Sequence, residues 1–82
     1  MSETFIKKNI KLSLEFDSYL SSRPNLIMKI PNKGIVIITV KGDEKFNQLS
    51  RSLVVNMNPG KKKVVEARKE GSRWRILSPA HI

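Results

Sequence analysis

Ile35-Val36-Ile37-Ile38-Thr39-Val40, set between Gly34 and Gly42, decides how the chain folds. The run is almost wholly β-branched and too short for a typical helix, so it reads as a strand. Its apolar residues do not alternate with polar ones, so both of its faces need cover. That is the habit of a strand in a parallel arrangement. The segments on either side are then read as the material that supplies the cover.

On the C-terminal side, Asp43 is a good helix N-cap and Glu44 sets a carboxylate in the first turn. Phe46, Leu49, Leu53, Val54 and Met57 fall on one arc at helical spacing. The helix is expected to continue to about Asn58, where Asn58-Pro59-Gly60 ends it. Lys61-Lys62-Lys63 leads into a second strand, Val64-Val65-Glu66-Ala67-Arg68. Lys69-Glu70-Gly71-Ser72 reads as a tight turn, and Arg73-Trp74-Arg75-Ile76-Leu77 as the last strand, ended by Ser78-Pro79. A turn centred on Glu70-Gly71 sets Ala67 opposite Trp74 and Val65 opposite Ile76 on an apolar side. It sets Arg68 opposite Arg73, Glu66 opposite Arg75 and Val64 opposite Leu77 on a mixed side.

On the N-terminal side, a helix is expected from Ser2, as N-cap, to about Ser21. Phe5, Leu12, Phe16, Tyr19 and Leu20 form one stripe, and Ile6, Ile10 and Leu14 a second stripe beside it. The apolar arc spans about 220°, more than one sheet face needs, so the second stripe should touch something else. Ser22 is a candidate cap for a short second helix with Pro24 in its first turn, running to Ile30. Pro31-Asn32-Lys33-Gly34 reads as a turn. The fold expected over residues 1–82 is one α/β domain, α+β-like in order: α, short α, β, α, β, β. Its sheet is three-stranded and mixed, with a parallel β-α-β crossover and a C-terminal β-hairpin.

With 82 residues, the chain buries only about 60–65% of its unfolded surface, so a small core or oligomerisation must stabilise it. It has no Cys, which excludes disulfides and thiolate metal sites. His81 is the one imidazole, so no multi-histidine metal site can form within the chain. No apolar run approaches the roughly 20 residues of a membrane span, and the polar opening has no signal-peptide core. The expected location is the cytoplasm, with no membrane contact.

The chemistry of catalysis is poorly represented. Glu15 and Asp17 point to different faces of one helix, and capping explains Asp43 and Glu44. Glu66 and Glu70 lie among basic residues and read as screened surface charges. The strand-to-helix turn Lys41-Gly42-Asp43 has one glycine, and its carboxylates repel a phosphate. No Gly-rich nucleotide motif is present. The expectation is a non-catalytic protein without cofactor, metal or small-molecule substrate.

Two surfaces remain. The net charge is +9, and residues 61–75 concentrate it: Lys61, Lys62, Lys63, Arg68, Lys69, Arg73 and Arg75 stand against Glu66 and Glu70. These seven are candidate phosphate or anion contacts, and a basic two-stranded ribbon can bind nucleic acid through them. They also suit simpler roles, as dipole partners for the preceding helix and as guards of an exposed strand edge. The aromatic residues are not interleaved with them, so base stacking is not expected. The second surface is apolar. Ile6, Ile10, Leu14, Val36 and Ile38 are candidates for self-association if both helices cover one face of the sheet and leave the other open. The leading expectation is therefore an interaction module acting as a homo-oligomer or with a protein partner, and the alternative is a nucleic-acid-associated protein.

The opening Ser2-Glu3-Thr4-Phe5 with Asn9, then Leu14-Glu15-Phe16, Tyr19-Leu20, Pro24-Asn25-Leu26 and Ile30-Pro31, resembles a family of small uncharacterised prokaryotic proteins. Asp43-Glu44-Lys45-Phe46-Asn47 matches that family's acidic helix start. The resemblance covers about residues 2–50 and implies a helix, a short helix ending in Ile-Pro, and a hydrophobic strand. It implies no activity and no site residue. Family members tend to be acidic in the second half, whereas this chain is basic there.

Overall fold

The hydrophobic run forms a strand and the flanking segments cover it. A computed structural model describes residues 3–30, 34–57, 60 and 62–77. In chain order the elements are α1 (Glu3–Ser21), α2 (Pro24–Ile27), β1 (Ile35–Val40), α3 (Glu44–Met57), β2 (Val64–Glu70) and β3 (Arg73–Leu77). The three strands form one sheet in the order β1-β2-β3. β1 runs parallel to β2, and β3 is antiparallel to it. The expected caps and turns at Ser2, Pro31 to Lys33, Asn58, Pro59 and Ser78-Pro79 lie outside the described residues.

Ile37 and Ile38 are neighbours whose side chains point to opposite faces, and they are 2% and 5% exposed. One copy of the chain therefore covers both faces of β1. On one face, Phe5, Leu12 and Phe16 of α1 pack with Ile38, Ala67 and Trp74, and Val36, Val40 and Ile76 border them. The Phe16 and Trp74 rings stand 5.0 Å apart. On the other face lie Ile37, Thr39 and Glu66, and α3 reaches it by placing Arg51 beside Glu66. The Phe5 and Phe46 rings, 5.1 Å apart, join α1 to α3.

α3 starts as the sequence implies: the Phe46 amide donates to the Asp43 carboxylate at 3.2 Å. Its next residue, Asn47, secures β1. In the parallel ladder the amides of Ile35 and Lys41 donate towards β2, so the backbone groups of Val40 face the open edge. Asn47 accepts a bond from the Val40 amide at 2.7 Å and donates one to the Val40 carbonyl at 2.8 Å. A side-chain amide thus stands in for one residue of a neighbouring strand.

The second helix is shorter than expected and ends at Ile27. Ser22 does not cap it: Arg23 holds the cap position without a side-chain bond, and the Ser22 hydroxyl donates back to the Tyr19 carbonyl.

The hairpin register also differs. β2 continues to Glu70, so Lys69-Glu70 is strand and the loop is only Gly71-Ser72. Glu70 pairs with Arg73, Lys69 with Trp74, Arg68 with Arg75, Ala67 with Ile76 and Glu66 with Leu77. Polar residues tolerate the strand here because each finds a partner: Lys69 bonds Glu15 of α1, and Glu70 lies between Arg68 and Arg75. Gly71, at φ +65°, supplies the left-handed residue that a two-residue hairpin loop requires. Because the displacement is two residues, every side chain keeps its expected face.

Candidate functional site

The candidate self-association residues separate into two groups. Ile38 lies in the core beneath α1, and Val36 packs against the same cluster. They are corrected out of any exposed surface, because the inner stripe of α1 covers them. Ile6, Ile10 and Leu14 remain outside, 45%, 55% and 65% exposed. Spaced at four residues, they form one ridge along α1, flanked by Lys7, Lys11 and Glu15. Ile10, Leu14 and this flank, with Ser18, line a shallow open depression that is mostly apolar.

The candidate anion contacts also separate. Lys61 lies outside the described residues. Lys62 and Lys63 are exposed ahead of β2. Lys69 shares the α1 side of the sheet with Trp74 and is bound to Glu15, so it does not belong to a common basic face. Arg68, Arg73 and Arg75 share the opposite face. Arg68 stands opposite Arg75 rather than Arg73, and Arg73 is opposite Glu70.

This face holds the group that the sequence reading missed. Glu66 is 1% exposed, not a screened surface charge. Its carboxylate accepts a 2.7 Å hydrogen bond from Thr39, whose side chain is fully buried on β1. The Arg51 guanidinium approaches it at 3.5 Å and that of Arg68 at 3.7 Å. Glu70 continues the chain of charges, 3.9 Å from Arg68 and 4.0 Å from Arg75. The signal was present in the sequence. Thr39 is the sole polar side chain in β1, and Glu66 interrupts the apolar start of β2; the parallel register places both on one face.

Elsewhere the ionisable groups act as clasps. Lys8 of α1 pairs with Asp43 and lies over the Phe46 ring. The hydrogen bond from Lys8, then that from the Phe46 amide, holds the Asp43 carboxyl below its ordinary value. Arg23 stacks on Tyr19 at 3.7 Å beside an open groove between α1 and the hairpin loop. Among the described residues no cluster of three or more metal-ligating side chains forms, and no helix is long and apolar enough to cross a membrane.

No curated protein and no solved structure matches the chain. A family model does, and it extends beyond the resemblance seen in residues 2–50, over nearly the whole sequence. Matched from residue 4 to residue 80, the chain belongs to a family of unknown function (DUF5647).

Proposed function

We propose that the chain is a non-catalytic interaction module that self-associates through the outer ridge of α1. The exposure of Ile6, Ile10 and Leu14 carries this reading, since the core beneath is already complete. Residues four apart form the ridge that interdigitates with a like ridge at a crossing angle of about −50°. A two-fold axis at Ile10 sets Ile6 of one copy opposite Leu14 of the other. The ridge is thus complementary to itself in shape, as an isologous contact requires. The non-catalytic reading is supported by the commitment of Glu15, Asp43 and Glu66 to ion pairs.

Light scattering across a concentration series tests it, with Ile10→Lys as the variant. The expected result is a wild-type dimer and a monomeric variant with the same circular dichroism. A wild-type monomer at every concentration, or a variant of unchanged size, overturns the reading.

A further inference from the structure

We propose that the side of the sheet away from α1 carries a phosphodiester-binding face, built from Arg51 of α3, Arg68 of β2, and Arg73 and Arg75 of β3, which takes the backbone of a nucleic acid.

Two carboxylates hold three of these guanidiniums together, those of Arg51, Arg68 and Arg75. Glu66 draws in Arg51 and Arg68, and Glu70 draws in Arg68 and Arg75. Charged hydrogen bonds between nitrogen and oxygen ordinarily close to about 2.7–2.9 Å. The four contacts here run from 3.5 to 4.0 Å. Arg51 hydrogen-bonds Glu66, whereas Arg68 and Arg75 are held by longer ion pairs that leave their N–H donors available to a ligand. Arg73 makes no ion pair with any described residue.

Arg68 and Arg75 stand opposite each other with the Glu70 carboxylate between them, so that trio keeps one positive charge in excess. Arg75 is two-thirds exposed and Arg73 is exposed, so the face is open to a long polymer. Four guanidiniums against two carboxylates leave it positive within a chain of net charge +9, which favours a polyanion. Lys69 is not part of this face and Arg51 is, so its membership differs from a basic tract read along the sequence. Contact between two copies through α1 lies on the other side of the sheet, so the two proposals stand or fall separately.

The test is fluorescence anisotropy of the full chain with short fluorescein-labelled DNA and RNA duplexes across a salt series. The expected plot of log affinity against log salt has a slope of about −2 to −3 for one duplex or both. Arg73→Gln with Arg75→Gln removes two exposed positive charges and should reduce the slope by about 2 and the affinity roughly tenfold at about 50 mM salt. Lys41→Gln with Lys45→Gln makes the same charge change elsewhere and should leave affinity within about threefold. Both pairs are exposed, and circular dichroism checks the fold. No binding of either duplex at low salt overturns the proposal. So does a lysine pair that weakens binding as much as the arginine pair, which makes net charge the cause. Inorganic tripolyphosphate bound as tightly as the duplexes overturns the assignment to a polymer.

Discussion

The hydroxyl of Thr39 donates to the carboxylate of Glu66 at 2.7 Å, across the parallel strands β1 and β2 and out of reach of water. Thr39→Val keeps the shape and removes the donor. The buried carboxylate then loses its short hydrogen bond, at a cost of about 1–3 kcal/mol. Urea unfolding should show this as a lower midpoint with an unchanged slope, and Thr39→Ser should recover most of the loss. A Val variant as stable as the parent would mean that Glu66 is satisfied without Thr39.

Asn47 serves both backbone groups of Val40. Asn47→Ala leaves the Val40 amide unpaired beside a packed strand, while the Val40 carbonyl keeps the Asp43 amide at 3.1 Å, for a loss of about 1–3 kcal/mol. Hydrogen exchange at the Val40 amide should accelerate beyond what the global loss explains. Unchanged protection at that amide would contradict the assigned bonds.

Asp43 titrates below its ordinary value of 3.8, first because of Lys8 and then because of the Phe46 amide. A carboxyl whose folded value is lowered contributes stability above its unfolded value, and that contribution is lost as pH falls through the folded value. Asp43 should therefore weaken the fold only in acid below its ordinary value, and contribute evenly from there to neutrality. Lys8→Met should raise the Asp43 titration midpoint measured by NMR. A midpoint that stays in place would remove Lys8 as the main cause.

Gly71 sits at φ +65° with open space where a β-carbon would stand. Gly71→Ala meets no clash and tests backbone conformation alone, so the expected cost is about 1–2 kcal/mol. A loss well beyond that in thermal unfolding would show that the loop is packed as well as twisted.

The strand Ile35–Val40 was legible because six residues with no periodicity admit few other readings. Asp43 was legible as a cap because its role is local, closing on Phe46 three residues later. The hairpin register was not. Lys69 and Glu70 look like loop residues until Glu15, far away in the chain, is seen to supply one partner and the facing strand the other. Glu66 was opaque for the same reason. A carboxylate amid basic residues resembles solvent-facing charge, and its burial depends on Thr39, 27 positions earlier, and on α3 closing over that face. The arginine face was half legible: strand parity placed Arg68, Arg73 and Arg75 together, but Arg51 joins only through the tertiary fold. On α1, the outer ridge was correctly set apart from the inner stripe. Val36 and Ile38 were assigned to the wrong surface because the inner stripe, and not a second molecule, covers them.

The chain has one indole, and Phe16 of the first helix rests against it. The emission of Trp74 thus registers whether that helix is seated, whereas its strand can pair without it. The protein carries its own optical gauge for the docking of one element, and stopped-flow refolding can time that step apart from assembly of the sheet.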